Sequence, residues 1–200
     1  MPVMFDDLTI HYDARILRPR PWTAEQARWA AELAVDAPAG DALELCTGAG
    51  HIGLLLAALS GRHVVAVDVD PVAGEYARAN ARRSGLTDRF AVRVGRMDAV
   101  LDTEERFGVV IADPPWVPRG ETGRYPEDPL LAIDGGSDGL EVARGCLAVA
   151  ERHLLPGGSL VLQLGTEAQA GLLVDALPER LRHREMRTCP GGVLLHLGTA

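Results

Sequence analysis

Two kinds of apolar pattern alternate along the chain. Short, mainly apolar runs at 42–46, 63–69, 90–94, 107–112 and 159–164 are rich in Val, Ile and Leu and bounded by turn formers, the pattern of buried strands. Between them lie stretches of helical character. Residues 52–59 are apolar all round, which predicts a buried helix. The alanine-rich segment 72–84, opened by Pro71 and stopped by Gly85, predicts a second helix. Residues 137–154 predict a long helix after Asp134-Gly135-Gly136, and 167–176 a further one. The last two strands, near 181–188 and 193–197, flank Cys189-Pro190-Gly191-Gly192, a hairpin-like turn.

The beginning of the chain is less regular. Residues 24 to about 35 predict a helix with Thr23 as N-cap and Glu25 early, where negative charge suits the helix dipole. The segment Arg18-Pro19-Arg20-Pro21-Trp22 is not expected to be helical, because each proline removes a donor and restricts the residue before it. Residues 1–15 carry no clear period; Met4, Phe5, Leu8 and Ile10 suit a short strand or a covering arm. Strands alternating with helices predict a mostly parallel sheet with helices on both faces, and the closing hairpin puts one antiparallel strand into it. With 200 residues, 47% of them hydrophobic, and neither linker nor internal repeat, we expect a single domain: an arm and helix over 1–36 and a core over 37–200.

Composition narrows the function classes. The chain carries 20 basic and 28 acidic residues, a net charge of −8. This weighs against nucleic acid as a partner and against an anionic membrane surface, since both repel a negative protein. The arginines at 78, 82, 83, 89, 93 and 96 are taken as a solvated helix face and adjacent strand. Cys46, Cys146 and Cys189 are odd in number and lack Cys-x-x-Cys spacing, which predicts a reduced cytoplasmic protein without disulfides or a cysteine zinc site. The start has no basic region followed by an apolar one, so no signal peptide is expected. No apolar run reaches the ~20 residues of a membrane span. The six histidines show no i, i+4 metal pair, and no metal is expected.

Gly48-Ala49-Gly50-His51-Ile52-Gly53 matches G-x-G-x-x-G between a predicted strand and a predicted helix, the context that motif requires. Its small residues let the backbone approach a ligand, and free N–H groups sit at the helix start. Asp68 ends the next strand, 20 residues after Gly48, at the spacing of an acid that holds ribose hydroxyls. The turn alone does not choose between a nicotinamide dinucleotide and S-adenosylmethionine. Glu44, on the strand just before the glycines, argues for the second: it would repel a pyrophosphate and suits a ligand bearing a sulfonium and an ammonium.

A second signature, Asp113-Pro114-Pro115-Trp116, follows the strand 107–112 at its carboxyl end, where ligands of open α/β sheets bind. The prolines fix the backbone and present carbonyls without competing donors. An acceptor side chain, a rigid carbonyl and an aromatic face make a clamp for a planar –NH2 group, with Trp116 available for stacking. Such a clamp serves a direct methyl displacement, in which positioning and electrostatics supply most of the rate and neither metal nor covalent intermediate is needed. The stretch 117–136, without clear secondary structure, is long for a compact domain and suggests a substrate lid.

These segments resemble the class I S-adenosylmethionine-dependent methyltransferases. Within them the chain is most similar to the release-factor glutamine methyltransferases, the HemK-like group, over about residues 14–166 through ILRPRPWT (16–23), ELCTGAGHIG (44–53), VDVDPVAGEYARANARRSG (67–85) and AIDGGSDGLEVARGCL (132–147). The resemblance implies a doubly wound, Rossmann-like, seven-stranded α/β sheet with an antiparallel last strand. It implies Glu44, Thr47, Gly48, Ala49 and Gly50 along the methionine part of the cofactor, Asp68 on the ribose and Val69 beside the adenine. It also puts Asp98, or the backbone near Met97, at the adenine amine, Thr23 near the cofactor tail, and Asp113, Pro114, Pro115 and Trp116 toward the substrate. Three departures bear on the substrate. Asp113 stands where that group has Asn, and an ionised carboxylate only accepts hydrogen bonds. Trp22 replaces a Glu, and only about 20 residues precede the match, so the group's N-terminal helical domain is expected to be absent. The expected reaction is N-methylation of an amino or amide nitrogen, a protein glutamine or a small molecule, with a nucleic-acid base as the less favoured acceptor. The competing classes are an NAD-dependent oxidoreductase and a non-catalytic cofactor-binding module. Against the former, the chain contains no lysine and hence no Tyr-x-x-x-Lys pair.

Overall fold

The computed structural model describes residues 1–199. Seven strands form one sheet: β3 (Ala42–Leu45), β4 (Val64–Asp68), β5 (Phe90–Val94), β6 (Phe107–Ala112), β7 (Leu154–Leu164), β8 (Leu181–Cys189) and β9 (Gly192–Thr199). Their spatial order is β5-β4-β3-β6-β7-β9-β8. Strands β3 to β7 pair in parallel, and β9 runs antiparallel to both β7 and β8. The order reverses beside β3, whose neighbours are β4 and β6, and this switch point opens a crevice at the carboxyl ends of those strands.

Helices cover both faces. On one lie α1 (Ala24–Leu33), α2 (His51–Ser60) and α3 (Pro71–Arg83), packed on Ala42, Ala66, Val109, Ile111 and Val161. On the other lie α5 (Glu141–His153) and α6 (Glu167–Val174), packed on Leu43, Leu45, Val67, Val110 and Leu162. The alternation of these sets along each strand is the period-2 pattern of a sheet buried on both sides.

The start of the chain takes the extended, covering form expected of it: a hairpin of β1 (Pro2–Phe5) and β2 (Leu8–His11), with Phe5 and Ile10 buried on the face of α2 and α3. Other expectations need correction. Pro21–Thr23 is a short 3-10 turn: Pro21 occupies its first position, where a missing N–H is harmless. Thr23 is therefore in helical conformation already and does not cap α1; its hydroxyl donates to Arg20 O at 2.9 Å. The long helix begins at Glu141, because Gly136 and Gly139 adopt left-handed φ values of 89° and 77° that only glycine tolerates well. Pro156-Gly157-Gly158 lies within β7, in an irregular stretch where the register against β6 shifts. Residues 117–136 are structured: a 3-10 helix at Arg119–Arg124, the short α4 (Leu130–Ile133), and a bridge between Val117 and Asp134 reinforced by the Arg119–Asp134 ion pair at 2.9 Å.

Candidate active site

The turn after β3 is held in an unusual backbone shape. Cys46, Gly48 and Gly50 have φ of 61°, 52° and 82°. Gly50 has no room for a side chain, since a Cβ there would lie 3.1 Å from Ala77 of α3. Cys46 carries a side chain in the left-handed region, a conformation worth roughly 1–2 kcal/mol of strain. Thr47 N donates to Val67 O at 3.1 Å and Gly50 N to Thr47 O at 2.8 Å, which ties the turn to β4 and to itself.

Glu44 lies beneath this turn and not on the cleft wall. It is 2% exposed, accepts from Gly53 N at 2.7 Å, and receives the Thr47 hydroxyl on its other oxygen. Burial pushes its carboxyl up to about 8, against the pull of those two hydrogen bonds, and the charges of Asp68 and Asp113 add in the same direction. A Cβ on Gly53 would sit 2.2 Å from the carboxylate, so the third glycine of the motif serves this contact.

Above the turn opens a cleft of about 580 Å³, a size suited to a small ligand. Its floor includes Thr47, Gly48 and Ala49. Asp68 and Val69 line the β4 side; Asp68 accepts from Gly48 N at 2.7 Å and Asp70 N at 2.9 Å, and burial raises its carboxyl above the usual range. Met97 and Asp98 follow along the β5 side, with Asp98 in an exposed ion pair with Arg96 at 2.8 Å. Behind Met97, its Sδ lies 3.9 Å from Cys146 Sγ. Thr23 closes the cleft from the α1 side.

Asp113 and Pro115 reach the same cleft from the end of β6. The Asp113 side chain has no hydrogen-bond partner among the described residues, and burial pushes its carboxyl up to about 7. Pro114 is buried, and neither it nor Trp116 lines the cleft. The Trp116 ring lies on Gly165 at the end of β7, where a Cβ would come within 2.3 Å of Cε3, and Gln169 Nε2 donates to the Trp116 carbonyl at 2.8 Å. The remaining walls were not legible as site residues. Arg15 to Arg18 come from the end of the arm, Leu131 and Ala132 from 117–136, and Gly145 from α5. Leu131 and Ala132 fall in the stretch whose length suggested a lid, whereas Arg15 to Arg18 and Gly145 carry no local signal of a site. Among the described residues no cluster of three or more His, Cys, Asp or Glu side chains is placed to hold a metal.

A doubly wound sheet with an acid after β4, a glycine turn after β3 and an acid-proline-proline segment after β6 defines the class of Rossmann-like methyltransferase folds. Residues 37–192 match the family model of the methyltransferase domain, and the chain belongs to that family. It is similar to the release factor glutamine methyltransferase of Gloeobacter violaceus, with 35% identity over 188 residues, covering 91% of this chain and 65% of that protein. It is also similar to the ribosomal protein uL3 glutamine methyltransferase of Bordetella pertussis, with 36% identity over 168 residues, covering 78% of this chain and 55% of that protein. The chain thus spans between half and two thirds of the length of these curated relatives. The fold is shared with the hMettl16 catalytic domain solved with a MAT2A 3'UTR hairpin, at a TM-score of 0.74 and 19% identity over 98% of this chain and 76% of that one.

Proposed function

We propose that this chain binds S-adenosylmethionine in the cleft above the glycine turn and transfers its methyl group to an amino or amide nitrogen held at Asp113. The observation that carries this reading is the convergence on one cleft of Asp68 from β4 and an unpartnered Asp113 from β6, on either side of the glycine turn. Asp68 and Asp113 lie within electrostatic reach of Glu44 and oppose its ionisation, so a cation bound at the inner end of the cleft would draw these carboxyls into their charged form. That suits a sulfonium and an ammonium and disfavours a pyrophosphate, the reverse of what a nicotinamide dinucleotide needs. Asp68 would accept the ribose hydroxyls on its free lone pairs while keeping its bond from Gly48, and Met97 and Asp98 would border the adenine.

Bound there, S-adenosylmethionine supplies a methyl on a positively charged sulfur, which the substrate nitrogen displaces to leave the neutral thioether. Asp113 accepts an N–H of the substrate, aims the nitrogen lone pair at the methyl, and takes up the proton that the nitrogen loses. The Pro114–Pro115 backbone fixes that carboxyl relative to β6. We place Trp116 and residues 117–136 around the acceptor, the latter as a lid. A protein substrate is supported by the relatives, whose names specify glutamine in a release factor or ribosomal protein; Asp113 in place of Asn favours an amine, since a carboxylate offers no donor to an amide oxygen.

Calorimetry with S-adenosylmethionine and with NAD tests the cofactor: tight binding of NAD alone sinks the proposal. Asp113→Ala tests the chemistry. Cofactor affinity should survive while transfer of radiolabelled methyl into host protein or small-molecule fractions disappears; transfer that persists removes Asp113 from the mechanism.

A further inference from the structure

The N-terminal hairpin and the cofactor turn are joined through one buried amide. Asn80 of α3 is 0% exposed, and every hydrogen-bonding atom of its side chain faces backbone. Its Oδ1 accepts from His11 N at 2.9 Å, and its Nδ2 donates to His11 O at 2.9 Å and to Ala49 O at 2.9 Å. The side chain therefore closes a two-bond pairing with the end of β2 and simultaneously fixes the carbonyl at the middle of the glycine turn. No other side chain bonds that carbonyl among the described residues, so the turn depends on Asn80 for it.

Two further contacts run the same way. Phe5 of β1 meets His51 edge to face at 4.7 Å between ring centroids, and His51 begins α2 and lines the cleft. Just past the hairpin, the Tyr76 hydroxyl of α3 donates to Asp13 at 2.7 Å, and Asp13 also holds Arg15 at 2.8 Å, at the start of the segment that forms the outer wall. Ala77, one turn of α3 before Asn80, is the residue against which Gly50 packs. The hairpin, α3 and the turn thus meet at a few atoms on the side of the turn away from substrate.

We propose that Asn80 is a positioning residue for cofactor binding, and that through it the N-terminal hairpin sets the shape of the glycine turn. This rests on the proposed use of that turn for S-adenosylmethionine. Asn80 touches neither cofactor nor substrate; it holds Ala49, and with it the flanking N–H groups, in the arrangement the ligand needs. Coupling of this kind is reciprocal: if the hairpin end favours the binding shape of the turn, bound cofactor must steady the hairpin end.

The test uses the full chain. Calorimetry measures the Kd of S-adenosylmethionine for wild type, Asn80→Ala, Asn80→Ser and Leu173→Ala. Leu173, buried in α6 on the opposite face of the sheet, supplies a variant that loses stability away from the turn. Both Asn80 variants should weaken binding roughly tenfold, a change equivalent to ~1.4 kcal/mol, whereas Leu173→Ala should stay within about twofold. Amide exchange supplies the second readout. In wild type, saturating cofactor should slow exchange at His11, whose N–H reaches only Asn80; in Asn80→Ser that protection should vanish while protection at Gly48 remains. If Asn80→Ala cannot be purified folded, Asn80→Ser and the wild-type exchange measurement decide. Unchanged Kd in the Asn80 variants, or a His11 amide indifferent to cofactor, overturns the inference. Wild type that binds no S-adenosylmethionine overturns the proposed cofactor instead, an outcome visible before any variant is made.

Discussion

Replacing Glu44 by Gln should make the protein more stable at neutral and alkaline pH while damaging its site. In the fold, burial holds the Glu44 carboxyl near 8 instead of 4.5. The folded chain then binds this proton more tightly than the unfolded chain does. The group's favourable contribution is complete below about pH 4.5 and drains away as pH rises through about 8, beyond which it is constant. At 1.36 kcal/mol per pH unit, the interval between those two values bounds the loss at about 5 kcal/mol. Glu44→Gln keeps an oxygen for Gly53 N, and its amide can donate to the Thr47 hydroxyl, so the packing and both hydrogen bonds survive without the ionisation. Urea unfolding between pH 5 and 8.5 measures the effect. With a slope of about 2 kcal/mol per molar urea, the midpoints of variant and wild type should draw apart by up to about 2 M as pH rises. Calorimetry on the same samples should show weaker binding of S-adenosylmethionine by the variant, with less change for the demethylated product, which keeps the ammonium but has lost the sulfonium charge. Parallel stability curves would refute the assignment of Glu44 as a buried carboxyl that ionises at the expense of the fold.

Asp113 yields a rate prediction. Its carboxyl must be ionised to take a proton, so kcat/KM should rise with pH through about 7, and Asp113→Asn should erase that inflection; an unchanged profile in the variant assigns the titration to another group. Arg62 offers a pure stability test, because its guanidinium gathers the carbonyls of Ala34, Ala37, Pro38 and Gly40 at 2.7, 3.0, 2.7 and 3.1 Å at the end of α1. Arg62→Ala should lower unfolding free energy by about 2–3 kcal/mol, and Arg62→Lys should recover less than half, for want of a planar fork; full recovery by Lys in urea melts defeats that account. Gly165→Ala should push the Trp116 ring off β7, leaving the cofactor Kd within about threefold but reducing methyl transfer roughly tenfold or more. Equal transfer rates would remove Trp116 from the acceptor region.

The order of strands and helices could be anticipated because the buried strands are short, mainly aliphatic runs and the helices between them are bounded by prolines and glycines. Strand ends were another matter. Pro156-Gly157-Gly158 has turn chemistry, yet it is carried inside β7 where the sheet is irregular, and no local rule reveals that. Thr23 resembled an N-cap because its type and position fit; Pro21 had already begun the helical turn, so the hydroxyl turned to Arg20 instead. Of the residues expected in the cleft, Asp68, Val69, Met97, Asp98, Asp113 and Pro115 line it from the carboxyl ends of β4, β5 and β6, whereas Pro114 is buried and Trp116 packs on Gly165. Glu44 could not be placed from sequence: strand parity alone does not say whether the acid faces a ligand or the underside of the turn. The contribution of the arm was invisible, since it depends on contacts between His11 and Asn80, 69 residues apart.

The groups with the least favourable surroundings for folding are gathered in one place. Glu44, Asp68 and Asp113 are carboxyls pushed upward by burial, and Cys46 occupies a backbone region suited to glycine. Elsewhere several acids are paired with arginines at the surface, as in Asp13–Arg15 and Asp138–Arg144. Desolvated carboxyls weaken the fold unless a positive partner arrives, and among the described residues no arginine forms an ion pair with these three. A cationic ligand would supply that partner and relieve the mutual repulsion in one step. The fold therefore gives up stability at the mouth of β3, β4 and β6 that binding of positive charge would restore without removing the carboxyls. This is why the three carboxyls together argue for the cofactor more strongly than the glycine motif, which several ligands could share.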